Sequence, residues 1–461
     1  MPETKKYDAI VIGTGQSGPS LAARLSREGL RTAVIERKLF GGTCVNYGCI
    51  PTKALVASAR AAHVARRGAE FGVCIDSDIT MNMSRVKARK DEIVAASNQG
   101  VERWLRSLDN CTIYEGTGRF VSAKTVQVGD QTLTAEKIFI NVGGRPFIPP
   151  IDGVNDVPFL TSTAMLDLDT LPEHLIVVGA SYIGLEFAQM YRRFGARVTV
   201  IDRNSRVISR DDEDVSVEVQ RILESEGVEF ELGAECLSVA RNGDSVVVGV
   251  ECDGPRQIEG SHLLLAVGRV PNTHDLGLDA AGIETNDRGY IQVDDQLRTS
   301  VDGVWAMGDV NGRGAFTHTS YNDYEIVVAN LFDNDPRRVS DRILCYGLFV
   351  DPPLGRVGMT EAEVRASGRR ALVGKMKMSR VGRAKERSET DGFMKVFVDA
   401  DTERFLGAAF LGIGGDEIVH GILDIMYADQ PYTTIARAVH IHPTVSELIP
   451  TLLQSLKPLG D

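Results

Sequence analysis

The sequence lacks a long apolar run and a surplus of basic residues. No apolar stretch reaches the roughly 20 residues that a membrane-spanning helix needs, and residues 1–6 lead into a predicted strand without the apolar region of a signal peptide. Lys and Arg number 51 against 63 Asp and Glu, which gives a net charge of −12. Because nucleic acids and anionic membranes attract clustered basic side chains, we expect neither as a partner and predict a cytoplasmic protein.

Cysteine and aromatic residues are also scarce. The 7 cysteines among 461 residues do not form the dense pattern of a secreted disulfide framework, and none has the spacing of metal ligands, so no metal site is predicted. In contrast, there are 46 glycines, and the hydrophobic fraction is 43%. This composition is typical of an α/β protein with many tight turns, and the length allows about three domains.

Two of the cysteines, Cys44 and Cys49, stand in a stretch that also contains Gly48, Pro51 and Lys53. An uninterrupted helix rises about 7.5 Å over five residues and turns the second side chain away, whereas the Cα atoms of a disulfide lie within about 7 Å. We therefore expect Cys44 on a distorted turn that Gly48 permits. Pro51 suits the first turn of a helix, which would place Cys49 near a helix N-terminus, where a thiolate is stabilised.

Lys53 lies one helical turn beyond Cys49, so its ammonium is expected to point toward whatever the cysteines contact. A cation there would stabilise a reduced, anionic cofactor. For an isolated pair at this spacing, two buried free cysteines would be the alternative interpretation. The neighbouring glycines, Pro51, Lys53 and a dinucleotide fingerprint upstream favour a redox-active disulfide, with Cys49 as the resting thiolate.

An apolar strand, a glycine-rich turn and a helix follow one another over residues 7–25. Gly13 allows the tight turn, Gly15 lets the backbone approach a pyrophosphate, and Gly18 permits close packing of helix on strand. A second strand ends at Glu36, the acid expected to bind a ribose hydroxyl. Together these features predict a dinucleotide-binding βαβ unit.

The same pattern returns in the middle of the chain, with Gly179, Ser181 and Gly184 at the turn and Asp202 at the end of the next strand. The sequence therefore predicts a second nucleotide-binding unit. Ser181 replaces the middle glycine, which leaves less room for a phosphate to approach the backbone. A degenerate helix start that binds nothing is the alternative interpretation.

The identity of the second nucleotide depends on the residues after this strand. Asp202 favours an unphosphorylated ribose, because its carboxylate would repel a 2′-phosphate. Arg203 and Arg206 follow directly and could attract the same phosphate. We therefore favour NADH, with NADPH as the competitor.

Two similar segments, 138–146 with Gly143 and 263–272 with Gly268, are predicted to close the two nucleotide-binding units. A short apolar strand then ends in the Gly-Asp turn at Asp309. A helix is predicted to follow over residues 317–331. From about residue 340 onward, alternating strands with helices between them predict a third, α+β domain.

The end of this third domain contains His442, Pro443 and Glu447. Pro443 can begin a helix with Glu447 one turn inside it, so that the carboxylate meets the imidazole of His442. Such a partner orients an imidazole, fixes its tautomer and raises its basicity. A single histidine is more often structural, so this motif alone leaves its role open.

These motifs occur in one order over nearly the whole chain, and together they resemble a known family. The pattern Gly-Gly-Thr-Cys-x4-Cys-x-Pro-x-Lys, the two fingerprints and His-Pro-x3-Glu are similar to those of the pyridine nucleotide-disulfide oxidoreductases, which include lipoamide dehydrogenase, glutathione reductase and mercuric reductase. The resemblance implies an α/β fold with two nested Rossmann-like nucleotide-binding domains and an α+β C-terminal dimerisation domain. The implied domains are an FAD-binding domain at 1–149 and 274–339, an NAD(P)-binding domain at 150–273 and an interface domain at 340–461.

The resemblance also implies roles for individual residues. Electrons would pass from NADH or NADPH through FAD to the disulfide, with Cys49 facing the flavin and Cys44 attacking the substrate. In a homodimer, His442 would serve the disulfide of the other subunit. The residues expected to be catalytic are Cys44, Cys49, Lys53, Glu186, His442 and Glu447. Those expected to bind the cofactors are Gly13, Gly15, Gly18, Glu36, Gly42, Thr43, Lys53, Gly143, Asp309, Thr317, Gly179, Tyr182, Gly184, Asp202, Arg203 and Gly268.

Two of these roles concern the nicotinamide side of the flavin. The resemblance implies that Glu186 pairs with Lys53. It also implies that Tyr182 covers the nicotinamide pocket and shields the reduced flavin from water and oxygen. A tyrosine that serves only in packing is the alternative for Tyr182.

The substrate is the least determined part of the prediction. Segments that begin at Gly15, Gly48 and Phe316 look most like the mercuric reductase-like branch. The sequence lacks an amino-terminal metal-binding domain, and residues 455–461 lack the paired cysteines that deliver mercuric ion. We predict reduction of a small disulfide, a metal ion or a thiol-reactive oxidant. A dihydrolipoyl dehydrogenase is one alternative, and a flavin-binding scaffold subunit is an alternative of another class.

Overall fold

A computed structural model describes residues 4–251 and 254–460, and strand pairing within them forms five sheets. The first sheet has seven strands, with Thr4–Ile12 at its centre. This strand pairs in parallel with Thr32–Glu36 on one side and Gln131–Ile140 on the other. All five residues of Thr32–Glu36 are buried, because helices and loops cover both faces of the sheet, as is usual for parallel sheets.

The helices and strands of this first unit come from two separate parts of the chain. Its strands are Thr4–Ile12, Thr32–Glu36, Cys111–Glu115, Gly118–Ser122, Thr125–Val128, Gln131–Ile140 and Val304–Ala306. Its α-helices are Gly18–Arg27, Gly42–Asn46, Cys49–Arg66, Met83–Arg106, Leu278–Ala281 and Thr317–Phe332, with 3₁₀ turns at Gly68–Phe71 and Gly308–Asn311.

The strand Val304–Ala306 returns to the first sheet after the chain has formed a second one. It pairs in parallel with Gln131–Ile140. The second sheet has five parallel strands, with His174–Val178 lying between Arg197–Asp202 and His262–Leu265. The predicted nesting of one Rossmann-like unit inside another is confirmed.

The second unit also contains a three-stranded antiparallel sheet. That sheet consists of Cys236–Asn242, Ser245–Glu251 and Pro255–Gly260. The five strands of the parallel sheet are Leu160–Thr161, His174–Val178, Arg197–Asp202, Val228–Leu232 and His262–Leu265. The helices of the second unit are Ser162–Met165, Tyr182–Phe194 and Glu213–Ser225, with a 3₁₀ turn at Val154–Asp156. A two-stranded ribbon, Gly144–Pro146 with Arg269–Pro271, joins the ends of the two units.

The third unit is built on a six-stranded sheet with helices, which agrees with the predicted α+β domain. Its central strands, Phe393–Asp399 and Phe405–Leu411, are buried at every residue. The other strands are Cys345–Leu348, Leu354–Gly358, Ala371–Lys377 and Lys457–Pro458. The α-helices are Glu361–Ala366, Gly382–Glu386, Gly415–Ile418, His420–Tyr427, Thr433–Ala436 and Ile449–Leu453, with 3₁₀ turns at Val339–Asp341, Met378–Arg380 and Ser446–Leu448.

A buried ionic cluster fastens the third unit to the second. Arg356 is fully buried and donates two hydrogen bonds to the Asp212 carboxylate, at 2.8 and 3.1 Å. The ammonium of Lys395 lies 2.8 Å from the same carboxylate. Burial by itself would raise the pKa of Asp212, but these two cations outweigh it and hold the pKa at about 2.

None of the helices in the described part of the chain is long and apolar enough to cross a membrane.

Candidate functional site

The two cysteines lie on separate helices that meet at Gly48. Cys44 is the third residue of the short helix Gly42–Asn46, whereas Cys49 is the first residue of the 18-residue helix Cys49–Arg66. The prediction of a distorted turn at Cys44 is therefore wrong, because the break in the helix follows this residue. Gly48 stands at the break with φ −136° and ψ −112°, outside the regular helical region. The break allows the second thiol to turn back toward the first.

The environments of the two thiols differ in a way that separates their pKa values. Both cysteines are free thiols in the structure. The Cys44 thiol donates a hydrogen bond to Cys49, which is the largest contribution that lowers the pKa of Cys49, to about 6. Thr317 Oγ1 lies 3.2 Å from the Cys49 sulfur, and the Lys53 charge lowers this pKa further. The same hydrogen bond and burial raise the pKa of Cys44 well above its usual range.

An ion pair joins the helix that begins at Cys49 to the second nucleotide-binding unit. Lys53 Nζ lies 2.7 Å from Glu186 Oε2, so the predicted contact is formed. The Glu186 side chain is only 6% exposed, and its other oxygen accepts a hydrogen bond from the backbone N–H of Phe349 at 3.1 Å. A buried carboxylate needs such partners, because its desolvation is otherwise costly.

One cavity of about 2000 Å³ connects the cysteines with the glycine turns of both nucleotide-binding units. A pocket for one drug-sized ligand measures roughly 300–1,000 Å³, so this cavity has room for two extended nucleotides. Most of the predicted site residues line it. The exceptions are Gly18, Gly184, His442 and Glu447.

Glycines let the first dinucleotide turn pack closely and leave its backbone open to the cavity. Gly13 has φ +96°, and a Cβ atom there would lie 2.4 Å from the Asn141 carbonyl oxygen. A Cβ atom on Gly42 would lie 2.8 Å from the Gly15 Cα, in the space beside the turn. Gly18 serves packing instead, since its Cβ atom would lie 2.4 Å from the Gly13 carbonyl oxygen. These positions provide the cradle that a pyrophosphate group needs.

The second turn repeats this arrangement. Gly179 has φ +115°, and a Cβ atom on Gly184 would lie only 1.9 Å from the Gly179 carbonyl oxygen. Ser181 directly precedes the helix Tyr182–Phe194 and adopts an extended backbone conformation. Ser181, Tyr182 and Ile183 line the cavity, so the N-terminus of this helix faces it.

The acids at the ends of the two second strands occupy equivalent positions. Glu36 Oε2 accepts a hydrogen bond from the backbone N–H of Thr14 at 3.0 Å, and Asp202 Oδ2 accepts one from Ala180 at 2.6 Å. Each carboxylate thus ties its strand to its own glycine turn. Both acids also line the cavity, and a carboxylate can accept further hydrogen bonds there.

Asp309 lies beside a cation, Arg269, that was not predicted from the sequence. Its Oδ2 atom is 3.9 Å from the Nε atom of Arg269, and both residues line the cavity. Burial raises the pKa of Asp309 and lowers that of Arg269. Arg269 Nη2 donates a hydrogen bond to the Gly144 carbonyl oxygen at 2.5 Å. Its place directly after Gly268, in a segment similar to the one after Gly143, was the signal that could have identified it.

Tyr182 belongs to an aromatic cluster on the cavity wall. Its ring contacts those of Phe316 and Tyr346, with centroids 6.3 and 5.5 Å away. The Tyr346 hydroxyl donates to Asp211 Oδ2 at 3.0 Å, and burial raises the pKa of both tyrosines. Tyr346 and Asn141, whose amide contacts Gly18 and Met307, are site residues without a local sequence signal.

His442 and Glu447 contact each other but lie outside the cavity. His442 Nδ1 is 2.8 Å from Glu447 Oε2, and the His442 side chain is 81% exposed. The prediction that Pro443 begins a helix is wrong, because the first helical turn is the 3₁₀ segment Ser446–Leu448. The Thr444 N–H instead approaches the Glu447 carboxylate, so the loop before the turn places the acid. Within one chain, the structure does not bring this pair to the cysteines.

We predict that the hydrogen bond from Cys44 controls the ionisation of Cys49. Replacing Cys44 with alanine removes the donor, so the pKa of Cys49 should rise by about one unit or more from its value of about 6. The Cys44→Ser variant keeps a hydroxyl donor and should show a smaller rise. The measurement is the rate of Cys49 alkylation by iodoacetamide against pH, resolved by peptide mass spectrometry. Equal midpoints in wild type and both variants would contradict the assignment.

Comparison with known proteins identifies relatives over almost the full chain. RclA of Escherichia coli (strain K12), a probable pyridine nucleotide-disulfide oxidoreductase, is 36% identical over 98% of this chain and 100% of its own. The mercuric reductase of Streptomyces lividans is 31% identical over 97% and 96%. A dihydrolipoyl dehydrogenase of Haloferax volcanii is 32% identical over 96% and 94%.

The solved structures give the same result. A Cu(II) complex of the HOCl-induced flavoprotein disulfide reductase RclA from Escherichia coli matches with a TM-score of 0.89 and 35% identity, over 98% of this chain and 99% of that one. The family model for pyridine nucleotide-disulphide oxidoreductases matches residues 7–323, and the model for their dimerisation domain matches residues 345–453. The chain belongs to the pyridine nucleotide-disulphide oxidoreductases, flavoprotein disulfide reductases that use FAD and a pyridine nucleotide.

Proposed function

We propose that the protein is an NAD(P)H-dependent reductase that passes electrons through FAD to a Cys44–Cys49 disulfide and on to a small thiol-reactive acceptor. The observation that carries this proposal is the asymmetric thiol pair in a cavity shared with both dinucleotide turns. A low pKa suits Cys49 to remain a thiolate, whereas a high pKa suits Cys44 to hold a proton until a base removes it. A scaffold subunit would not need this difference.

The residues around the first glycine turn fit FAD. The cradle at Gly13, Gly15 and Gly42 would hold its pyrophosphate, with Glu36 at the ribose and Asp309 and Thr317 nearer the cysteines. Bound FAD supplies the link between hydride and sulfur chemistry, because a nicotinamide delivers a hydride whereas a disulfide accepts electrons through sulfur.

The thiols would reduce a disulfide substrate in two exchanges. His442 of the other subunit takes the Cys44 proton, and the Cys44 thiolate attacks one sulfur of the substrate to form a mixed disulfide. The first substrate thiol leaves with the proton that His442 returns. The Cys49 thiolate then attacks Cys44, which releases the second thiol and restores the Cys44–Cys49 disulfide. Each substrate disulfide thus consumes one NAD(P)H and one further proton.

For the natural acceptor we propose a thiol-reactive oxidant or a metal ion that prefers sulfur. The support comes from RclA, which is described as induced by HOCl and has been solved as a Cu(II) complex. A cupric ion would accept one electron, so that one NAD(P)H reduces two such ions. Dihydrolipoyl dehydrogenase is the second candidate, because the His442–Glu447 contact and relatives of that name are equally compatible with oxidation of a dithiol.

We propose that the pyridine nucleotide is NADH and that the protein works in the cytoplasm, where this nucleotide is supplied. Asp202 lines the cavity at the strand end and places a negative charge where a 2′-phosphate would lie. Arg203 is exposed at the same rim, and Arg206 donates to the Ser209 carbonyl oxygen at 3.2 Å. Because either arginine could bind a 2′-phosphate, NADPH is the alternative nucleotide.

We also propose a homodimer in which His442 completes the site of the other subunit. The side chain is 81% exposed and lies outside the cavity of its own chain. Two apolar residues in the same loop, Val439 and Ile441, are 100% and 80% exposed, which is unusual for two apolar residues so close together on a free surface. This loop belongs to the segment that matches the dimerisation domain.

The test of the proposed function is steady-state oxidation of NADH and of NADPH with four acceptors in parallel: cupric ion, mercuric ion, glutathione disulfide and lipoamide. We expect turnover with cupric ion or another thiol-reactive acceptor, and a higher kcat/KM for NADH than for NADPH. Cys44→Ser is the matched control. It should keep nicotinamide-dependent flavin reduction but lose turnover with any disulfide acceptor by at least about 100-fold, because the attacking sulfur is missing.

The outcomes separate the candidates. Rapid turnover of lipoamide with NADH, together with inactivity toward the metal ions, would move the protein to the dihydrolipoyl dehydrogenase reaction. Absence of flavin reduction by either nucleotide would indicate a scaffold. Undiminished disulfide turnover in Cys44→Ser would refute the role of Cys44.

Mixed dimers test the placement of His442. A Cys44→Ser subunit and a His442→Ala subunit, co-expressed with different tags, are each expected to form inactive homodimers. If the site is shared, the mixed dimer contains one complete site, so random pairing should restore roughly a quarter of the wild-type activity. Activity absent from the purified mixed dimer would show that His442 acts within its own chain, and a fully active His442→Ala homodimer would show that it takes no part in turnover.

A further inference from the structure

Phe349 contacts both members of the ion pair beside the cysteines. The Lys53 ammonium lies 4.3 Å from the centroid of the Phe349 ring, within cation–π range. The backbone N–H of the same residue donates to Glu186 Oε1, while Glu186 Oε2 bonds Lys53. One residue of the third unit therefore holds a cation of the first unit with its ring and an anion of the second with its backbone.

The position of Phe349 is itself set by contacts one to two helical turns further along. The helix that contains Lys53 also carries Arg60, and the helix that contains Glu186 also carries Gln189 and Arg193. Asp351 accepts hydrogen bonds from Arg60 and, at 2.6 Å, from Arg193. Its backbone N–H and carbonyl group bond the Gln189 amide at 2.7 and 2.8 Å. The segment 349–351 thus clamps the two helices at two levels.

A glycine makes room for the ring in this segment. A Cβ atom on Gly347 would lie 3.2 Å from two carbons of the Phe349 ring. The ring consequently lies against the backbone of its own segment on one side and meets Lys53 on the other. Lys53, Phe349 and Gly347 all border the cavity that contains the cysteines.

The two charged partners differ in their freedom to move. Both side chains border the cavity, but that of Glu186 is 6% exposed, whereas that of Lys53 is 34% exposed. A lysine ammonium on its flexible four-carbon stem is strongly hydrated and can leave a partner for water. The aromatic face provides a second attraction that keeps the ammonium near Glu186 and the thiols. If the ammonium moved away, Glu186 would remain as an uncompensated negative charge beside Cys49.

We propose that Phe349 is a positioning residue of the redox centre, which holds the Lys53 ammonium and the Glu186 carboxylate in place beside the Cys44–Cys49 pair. This inference deepens the proposed function and rests on it. Phe349 need not contact the substrate, since it acts through Lys53. Its role differs from general packing because it changes the charge that the Cys49 sulfur experiences.

The test is a pH titration of the Cys49 thiolate in the FAD-loaded protein, reduced anaerobically by two electrons and followed by the long-wavelength thiolate–flavin absorbance. Phe349→Leu keeps the backbone N–H and an apolar side chain but removes the aromatic face. A loosened cation favours the thiolate less, so the midpoint should move upward by roughly half a pH unit. Phe349→Tyr keeps the aromatic face and should titrate like wild type.

Phe393→Leu is the matched control. Lys375 lies 3.9 Å from the Phe393 ring, so this variant removes a similar contact in the third unit, at a residue that does not border the cavity. It should leave the midpoint unchanged even if thermal stability falls. Phe349→Met, which also lacks an aromatic face, provides a second variant if Phe349→Leu does not fold.

The outcomes distinguish this inference from the proposed function. An upward shift in Phe349→Leu or Phe349→Met, absent from Phe349→Tyr and Phe393→Leu, would support the positioning role. Equal midpoints in wild type and in all Phe349 variants would overturn it and leave the proposed function intact. If wild type itself shows no thiolate absorbance after two-electron reduction, the proposed function fails, and the inference fails with it.

Discussion

The ion pair between Lys53 and Glu186 is the contact on which the rest of the site depends. It joins residues 133 positions apart at 2.7 Å and connects the helix that begins at Cys49 with the helix of the second glycine turn. Because Glu186 is almost fully buried, its charge requires this partner, and the two nucleotide-binding units are thereby held in a defined relation. The proposed hydride transfer between nucleotides bound to the two units would need such a fixed relation, since transfer depends on close and well-oriented reactants.

The break between the helices Gly42–Asn46 and Cys49–Arg66 gives the two thiols different environments. Placing Cys49 at the beginning of an 18-residue helix directs the partial positive charge of the N-terminus toward its sulfur. The hydrogen bond from Cys44, Thr317 and the Lys53 ammonium act in the same direction. The same hydrogen bond and burial raise the pKa of Cys44. The site therefore favours a thiolate at Cys49 and a protonated thiol at Cys44. In the proposed function this division of roles requires a base for Cys44, which His442 of the other subunit would supply.

The sequence allowed the local parts of this arrangement to be predicted, and the long-range parts only where a family pattern was available. The strands Thr32–Glu36 and Arg197–Asp202 end at the predicted acids because apolar runs and glycine turns act over a few residues. The predictions for Cys44 and Pro443 were wrong: Cys44 lies within a short helix, and the helical turn after Pro443 begins only at Ser446. The residue spacing in the sequence does not reveal the contacts that determine these short segments. Phe349 and Asn141 carry no local signal at all: each acts through residues that are more than 100 positions away.

The measurement that tests the central claim most directly is an anaerobic reductive titration of the FAD-loaded protein with dithionite. If Cys44 and Cys49 form a redox-active disulfide coupled to the flavin, the protein should take up about two equivalents of this two-electron reductant per flavin. The first should produce long-wavelength thiolate–flavin absorbance, and the second should bleach the flavin. Uptake of a single equivalent with immediate bleaching would show that the thiols and the flavin do not exchange electrons, and would contradict the proposed redox-active disulfide.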